Sequence, residues 1–367
     1  MISSIIRAYN IEVESIKQVS TGAYHTVFLL KDGTCKAVGD NLHGQLGDGT
    51  NTDRSTPVTV QGINNCIGIS AGAYHTVFLL SNGTCKAVGN NTQGQLGDGT
   101  TINKSTPVTV KGINNCISIS GYVHTVFLLS DGTCKAVGNN RYGQLGDGTT
   151  TEQKSTPVTV QGINNCIGIS AGDYHTVFLL KDGTCKAVGY NAQGQLGDGT
   201  TADSSIPVTV QGINNCISIS STDGRHSTFL LSDGTCKAVG NNTQGQLGDG
   251  TTINKSTPVT VKGINNCISI STSFQNTLFL LNDNTCKAVG GNNYGQLSDG
   301  TIIDRSTPVT VQGINNCISV SAGDYHAVFL LNDDTCKAVG NNTQGQLGDG
   351  TTTDSSIPVT VQGINND

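Results

Sequence analysis

The chain has 367 residues and a formal net charge of −6, and only 13% of its residues are charged. It contains 48 glycines and no tryptophan, while Thr, Val, Ile and Asn are abundant, which favours strands and tight turns over helices. The acidic balance and the lack of any basic run argue against nucleic acid and against a membrane surface as partners.

Residues 1–15, MISSIIRAYNIEVES, precede the regular part of the chain. They show no apolar segment of the signal-peptide type and no small-residue cleavage site. We expect an N-terminal extension here, which is either a loosely held tail or a clasp on the last repeat.

Residues 16–367 form a tandem repeat. The pentapeptide CKAVG occurs seven times, beginning at Cys35, Cys85, Cys134, Cys185, Cys236, Cys286 and Cys336. A period of about 50 residues is typical of solenoids, propellers and arrays.

Each repeat contains four predicted strands, named A to D in chain order. Strand A is IGIS or its equivalent, B is HTVFLL, C is TCKAVG and D is PVTV, and a long loop containing GQLGDGT joins C to D. In strand B, Val27 and Leu29 alternate with Phe28 and Leu30, so both faces are apolar and we expect both to be covered.

The order of the strands follows from the small residues and the prolines. Strand A carries Gly68 and Ser70 on one face, which suits a crowded inner position. All seven prolines stand at the first position of PVTV, and proline belongs on edge strands or at strand starts. Four antiparallel strands with A innermost and D outermost, repeated seven times, predict an all-β fold: a seven-bladed β-propeller of four-stranded antiparallel blades.

The repeat resembles that of the regulator of chromosome condensation repeat family. The shared pattern is G-x-x-H-T-x-x-L-x-x-D-G-T, then x-x-G-x-N-x-x-G-Q-L-G-x-G, then Pro, and it recurs in phase over residues 16–367. The resemblance implies a seven-bladed propeller of the bacterial type. One position departs from it, since Val38, Val88 and their equivalents stand where family members carry Trp, which predicts thinner packing between blades.

The thirteen cysteines follow the repeat. Seven lie in CKAVG, and six follow INN, namely Cys66, Cys116, Cys166, Cys216, Cys267 and Cys317. Within a blade, strand B separates the two cysteines by about 9–10 Å, too far for a disulfide. We expect reduced, buried thiols, and pairing between adjacent blades stays open.

Histidine and aspartate columns also recur. Six histidines begin strand B, and Asn276 replaces the histidine of the sixth repeat. Symmetry-related positions are too far apart to share a metal ion, so we expect a structural hydrogen-bonding role. The aspartate of GQLGDGT, as in Asp48, is expected to cap a tight loop rather than bind calcium, because the calcium-loop pattern is missing.

The A–B and C–D loops must emerge on one face, and this is where the repeats differ. Eight of nine tyrosines lie in these loops, as do Arg54, Arg141, Arg225 and Arg305. Tyrosine and arginine on one face are typical of a protein interface. The candidate partner-binding residues, which differ between blades, are His43, Arg141, Tyr142, Tyr190, Arg225, Phe274 and Tyr294. Drift after recent duplication is the alternative for them, and packing on the next blade is the alternative for the recurring Tyr24, Tyr74, Tyr174 and Tyr325. Lys262 and Gln312 are expected on the opposite face.

The predicted function is a non-enzymatic platform that binds an unidentified protein. No catalytic constellation, cofactor motif or metal-ligand spacing is present, so no enzyme activity, cofactor or metal is predicted. A structural or surface assembly subunit is one alternative, and the family resemblance implies another, a guanine-nucleotide exchange factor for a small GTPase. We expect a monomer, with self-assembly left open. The lack of a signal peptide and the odd cysteine count favour a cytoplasmic location.

Overall fold

The structure is a computed structural model that describes residues 15–221 and 225–364. The described residues form seven four-stranded sheets, and within each sheet the strands are hydrogen-bonded in chain order. The predicted extension at 1–15 lies outside the described residues except for Ser15.

Strand bounds repeat closely from blade to blade. The A strands are Ile16–Thr21, Cys66–Ala71, Cys116–Gly121, Cys166–Ala171, Cys216–Ser220, Cys267–Thr272 and Cys317–Ala322. The B strands are His25–Leu30, His75–Leu80, His124–Leu129, His175–Leu180, His226–Leu231, Asn276–Leu281 and His326–Leu331. The C strands are Cys35–Gly39, Cys85–Gly89, Cys134–Asn139, Cys185–Gly189, Cys236–Gly240, Cys286–Gly290 and Cys336–Gly340. The D strands are Arg54–Thr59, Lys104–Thr109, Gln153–Thr159, Ser204–Thr209, Lys255–Thr260, Arg305–Thr310 and Ser355–Thr360.

The A strands line the axis of a closed ring. Each A strand contacts the A strand of the next blade, and the first A strand contacts the last. The seven-bladed β-propeller predicted from the repeat is therefore confirmed, with strand A innermost and strand D outermost.

The proline lies inside strand D rather than at its start. Strand D of the first blade begins at Arg54, and Pro57 is its fourth residue. The pairing register between strands C and D shifts between Ala37 and Gly39, so Pro57 falls in the irregular part of the ladder. A bulge on an edge strand tolerates a residue that lacks an amide hydrogen.

Each boundary between two blades is one hydrophobic cluster. Between the first two blades, Val27, Leu29 and Leu46 of the first pack against Phe78 and Val88 of the second. The boundary between the seventh blade and the first is built the same way, with Leu330 and Leu347 against Phe28 and Val38. Strand B of the first blade is buried along its whole length, as its doubly apolar sequence predicts.

The histidines form a ladder around the ring. Nε2 of each one lies within hydrogen-bonding distance of a hydroxyl in the next blade, as in His25 to Thr76 (3.0 Å) and His175 to Ser227 (2.9 Å). The hydroxyl in turn donates to a backbone carbonyl of the preceding blade, as Thr76 does to Gln45 at 2.8 Å. The predicted structural role of the histidines is confirmed.

The histidine–hydroxyl hydrogen bond is missing between the sixth and seventh blades, because both of its residues are replaced. The sixth blade has Asn276 in place of histidine, and the seventh blade has Ala327 in place of the hydroxyl residue that would face it. The histidine and its hydroxyl partner are therefore replaced together, and Nδ2 of Asn276 is buried without a hydrogen-bond partner among the described residues.

Candidate functional site: the A–B and C–D loop face

The A–B and C–D loops meet at one edge of every blade. Because consecutive strands are antiparallel neighbours, these two loops leave the sheet on one side, and the B–C and D–A turns leave it on the other. Backbone hydrogen bonds join the two loops, as from the amide of Asp40 to the carbonyl of Tyr24 at 2.9 Å. We call this side the loop face.

Aromatic rings from four blades form a first group on the loop face. Tyr24 lies 6.5 Å from Tyr74 and 5.7 Å from Tyr325, measured between ring centroids. Three rings from other loops pack on its edge, each in an edge-to-face arrangement. These are His43 on Tyr74 (5.4 Å), Phe274 on Tyr325 (6.4 Å) and Tyr294 on Tyr325 (5.4 Å). We call these six residues the Tyr24 cluster.

A second group comes from the third, fourth and fifth blades. The rings of Tyr142 and Tyr190 are 4.8 Å apart, and Tyr142 is 5.2 Å from Tyr174. The guanidinium of Arg141 lies 5.7 Å from the ring centre of Tyr142, and that of Arg225 lies 5.9 Å from that of Tyr190. Such distances allow cation–π attraction. We call these five residues the Tyr190 cluster.

A buried hydrogen bond lies on the same face. Tyr122 of the third blade donates from its phenol to Oδ2 of Asp324 in the seventh blade at 3.2 Å. Both residues are buried, at 8% and 7% exposure. Burial and the neighbouring Asp173 raise the pKa of Asp324 well above its ordinary value.

Asp173 connects this buried pair to the Tyr190 cluster. Burial raises the pKa of Asp173 to about 7, and the nearby Arg225 opposes that shift. Nε of Arg225 lies 3.7 Å from Oδ2 of Asp173. A carboxyl that titrates near neutral pH thus lies beside one of the candidate partner-binding residues.

All seven candidate partner-binding residues belong to one of the two clusters. His43, Phe274 and Tyr294 join the Tyr24 cluster, and Arg141, Tyr142, Tyr190 and Arg225 join the Tyr190 cluster. Arg225 and Phe274 also line one small cleft of about 90 Å³, so the clusters adjoin there.

The recurring tyrosines pack on neighbouring blades, which is the alternative that the sequence analysis gave for them. Tyr24 stacks on Tyr74 of the next blade, and Tyr174 contacts Tyr142 of the preceding one. They remain partly accessible, and Tyr74 is 38% exposed. With Tyr122 and Tyr174, Tyr74 lines a shallow cleft of about 220 Å³.

Two arginines counted with the loops are structural. Arg54 and Arg305 begin strand D, and each is bonded to the aspartate of its own GQLGDGT or equivalent loop. The distances are 2.8 Å from Arg54 to Asp48 and 2.6 Å from Arg305 to Asp299. Asp48 also accepts from the amide of Thr50 at 2.9 Å, so the predicted capping role is confirmed.

Lys262 and Gln312, which were expected on the opposite face, follow strand D in the D–A turns, and their side chains extend to the C–D loop of their own blade. Gln312 follows strand D, yet its side-chain amide donates to the backbone carbonyl of Asp299 in the C–D loop at 3.0 Å. The Lys262 side chain reaches the glycine of the corresponding loop, Gly250. The C–D loop therefore folds back along the rim of the blade, and the B–C turns are the better markers of the far side.

Sequence reasoning missed the buried acids. Asp173 and Asp324 occupy a column in which the first two blades have Ala23 and Ala73, so AGDYH against AGAYH was the available signal. In the ranges 15–221 and 225–364, no group of three or more His, Cys, Asp or Glu side chains is arranged to hold a metal ion.

A closed ring of seven blades with its variable aromatic loops on one face makes this protein a seven-bladed β-propeller of the tandem-repeat class. The chain belongs to the regulator of chromosome condensation (RCC1) repeat family, whose sequence model matches residues 32–79, 82–128, 131–179, 182–231, 233–280 and 288–330. A second model of the same repeat matches residues 16–45, 66–95, 117–144, 166–195 and 317–346.

Solved structures share the fold at low identity. Human WBSCR16 is 20% identical with a TM-score of 0.79, over 90% of this chain and 94% of that one. Yeast RCC1 (Prp20), solved bound to Kap60, is 19% identical with a TM-score of 0.79, over 99% and 91%. Prp20p from Saccharomyces cerevisiae, described with its binding to Gsp1p and histones, is 19% identical with a TM-score of 0.76, over 95% and 88%. A search of curated protein sequences finds no match. Among the described residues, no helix is long and apolar enough to cross a membrane.

Proposed function

We propose that the protein is a non-enzymatic platform and that a protein partner docks on its loop face. The observation that carries the proposal is the convergence of all seven blade-specific residues into two adjoining aromatic and arginine clusters. The repeats also differ in the B–C turns of the far face, where Lys31, Ser81 and Asn282 share a column, but no aromatic residue lies in those turns.

The clusters have the physical properties of a binding hot spot. Their rings are held by one another, as Tyr142 is by Tyr174 and Tyr190, so little side-chain freedom remains to be lost when a partner binds. They also keep contact area available, and Tyr294 is 37% exposed. Tyrosine and arginine are the residues most enriched at such sites.

The likeness to yeast Prp20 supports a protein partner in general terms. Prp20 has been solved bound to Kap60 and described with its binding to Gsp1p and histones. At 19% identity the likeness shows the fold, so it does not select among partners for this chain.

The test is a comparative capture from a lysate of the native host. Wild-type protein, a Phe274→Ala/Tyr294→Ala variant and a Lys181→Ala control are immobilised in parallel. Lys181 is exposed in a B–C turn, on the far side of the ring. A partner retained by wild type and control but lost from the double variant supports the proposal, and loss only from the control contradicts it.

Self-association separates this function from the structural alternative. An assembly subunit forms oligomers on its own as its concentration rises, and sedimentation of the purified protein detects this. An exchange factor would accelerate nucleotide release from a small GTPase. Exchange activity needs a segment that protrudes from the ring as a wedge. The CKAVG motifs are 49 to 51 residues apart throughout, so no repeat carries an insertion that could form one.

A further inference from the structure

Twelve of the thirteen cysteines form pairs across the blade boundaries. In each pair, one cysteine begins strand C of a blade and the other begins strand A of the next blade. The two cysteines of each pair share one hydrophobic cluster, where each thiol shifts the pKa of the other. The pairs are Cys35–Cys66, Cys85–Cys116, Cys134–Cys166, Cys185–Cys216, Cys236–Cys267 and Cys286–Cys317.

The backbone fixes this approach. The amide of Cys66 donates to the carbonyl of Gly33 at 3.0 Å, and Gly33 lies two residues before Cys35. The same bond, from Cys166 to Gly132, measures 3.0 Å at the next boundary but one. The B–C turn of one blade therefore places its strand C cysteine against the first residue of the next blade.

The two thiols of a pair are not equivalent. The neighbouring Cys66 thiol and burial raise the pKa of Cys35, whereas the Cys35 thiol lowers the pKa of Cys66. The Cys66 thiol itself donates to the carbonyl of Gly68 at 3.2 Å. The strand A cysteine is thus the better nucleophile, since the thiolate is the reacting form.

The thirteenth cysteine has no cysteine partner because the first strand A of the chain does not begin with cysteine. Cys336 is the strand C cysteine of the seventh blade, and the first residue of the neighbouring strand A is Ile16 rather than cysteine. Ile16 and Cys336 lie in the same hydrophobic cluster. The boundary between the seventh and first blades therefore has one thiol where each of the other six has two.

We propose that the six pairs are dithiol–disulfide modification sites that a small disulfide such as glutathione disulfide oxidises. The strand A thiolate attacks one sulfur of the oxidant, forming a mixed disulfide and releasing one glutathione. The strand C thiol then loses its proton and attacks the protein sulfur of the mixed disulfide, releasing the second glutathione. Each pair gives up two electrons and two protons, and one glutathione disulfide becomes two glutathione molecules.

The pair Cys134–Cys166 lies beside a surface groove. Cys166 lines the groove, which measures about 340 Å³, together with Asp131, Gly132 and Lys181. All thirteen thiols are buried, those of Cys134 and Cys166 included, so every pair reacts as its blade boundary opens. Because the groove adjoins it, the boundary between the third and fourth blades is where oxidation starts.

Complete oxidation joins all seven blades in series and leaves a single boundary without a covalent link. The experiment incubates reduced, folded protein with glutathione disulfide, alkylates the remaining thiols, and maps the peptides without reduction. The expected result is a fall from thirteen thiols to one, with six cross-links between adjacent blades and a free Cys336. The cross-link Cys134–Cys166 should appear first.

Three results overturn the proposal. They are thiols that stay reduced while the unfolded chain oxidises under the same conditions, cross-links within a blade, and mixed disulfides with glutathione that never close. Circular dichroism of the oxidised sample confirms that the propeller persists.

A gain-of-site variant tests the same geometry independently. Ile16→Cys places a thiol in the cluster of Cys336, so oxidation should now consume all fourteen thiols and close the ring covalently. Ile16→Val is the matched control and should keep one free thiol. If the introduced cysteine stays reduced in a folded protein whose other pairs have closed, the pairing rule is wrong.

Discussion

Nε2 of His326, in the seventh blade, lies 3.0 Å from Oγ1 of Thr26 in the first, although 300 residues separate them. Thr26 in turn donates to the carbonyl of Gln346 at 3.0 Å. Since the threonine proton is used in that bond, the histidine donates from Nε2, and burial lowers the pKa of His326 to about 3, so the ring is neutral at pH 7. The same bond that links interior blades therefore closes the ring.

Stability should fall steeply as the pH drops below the ordinary histidine range. Burial lowers the pKa of the six ladder histidines to about 3 or 4. The unfolded chain binds their protons below about pH 6.5 and the folded chain does not. For each such histidine, the free energy of unfolding then decreases by about 1.4 kcal/mol for every pH unit by which the pH falls. Denaturant unfolding between about pH 7 and pH 5 measures the slope.

His75→Asn tests whether the ladder histidines cause this pH dependence of the free energy of unfolding. Asparagine is a suitable replacement because Asn276 occupies the same position in the sixth blade. The variant should reduce the number of protons taken up on unfolding by one. An unchanged proton count in the variant would refute the assignment of the slope to the ladder.

Restoring the missing histidine–hydroxyl bond should show coupling between two positions. Asn276→His alone exchanges the unpartnered Nδ2 of Asn276 for a ring donor that also has no acceptor at Ala327, so the cost of an unsatisfied buried group, about 1–3 kcal/mol, remains. Adding Ala327→Thr supplies the acceptor, so the double variant should be more stable than the sum of the single changes predicts. A double-mutant cycle from denaturant unfolding measures this, and strict additivity would count against the ladder at this boundary.

Replacing the buried carboxyl of Asp324 should stabilise the protein at neutral pH. The pKa of Asp324 is raised in the fold, so its favourable contribution exists only at acidic pH and is lost as the pH rises. Asp324→Asn keeps an oxygen for Tyr122 and removes the buried charge, which should add about 1–3 kcal/mol near neutral pH. The gain should vanish near pH 4, as thermal unfolding at both pH values can show.

Asp324→Ala is the control offered by the first two blades, which carry Ala23 and Ala73 there. It removes the charge and also the bond from Tyr122, so its gain should be smaller than that of Asp324→Asn. Equal destabilisation by both variants at neutral pH would mean that the carboxylate is favourable in the fold.

Partner binding should depend on three side chains of the loop face. Arg225→Ala, Phe274→Ala and Tyr294→Ala should each weaken binding by about 1–3 kcal/mol, because each removes contact area or charge from the two clusters. Isothermal titration with the captured partner measures the loss. The thermal midpoints of Phe274→Ala and Tyr294→Ala should stay close to that of the wild type.

Lys181→Ala and Ser232→Ala serve as controls, since both positions are exposed in B–C turns on the far side of the ring. They should leave the affinity unchanged. Loss of binding in these variants, with none in the first three, would move the docking surface to the opposite face.

The repeat carried most of the fold, because strand order and blade number follow from local patterns that recur in phase. The apolar HTVFLL and the proline of PVTV assigned strands B and D correctly. The proline's place inside a bulge was missed, because the register shift between Ala37 and Gly39 depends on tertiary pairing. The blade-specific loop residues were predictable as departures from the repeat.

Contacts across the ring were not predictable from the repeat. Tyr122 and Asp324 lie 202 residues apart, and no periodic pattern relates the third blade to the seventh. The pairing of Cys35 with Cys66 was left open for a similar reason, because the within-blade distance says nothing about the next blade. Both features depend on how the blades are arranged around the axis.

Every blade is built from one continuous segment, and the boundaries are made of nearly the same residues throughout. A blade of one molecule therefore fits beside almost any blade of another. Refolding at high protein concentration should produce interlocked species in which two chains complete one another's rings. The boundary between the seventh blade and the first has contacts of its own, because Asp334 bonds there to Ser15 and Lys31. Those contacts join the first and seventh blades when one chain closes its own ring. Because closure within one chain does not depend on protein concentration and pairing between two chains does, dilution should favour the single ring.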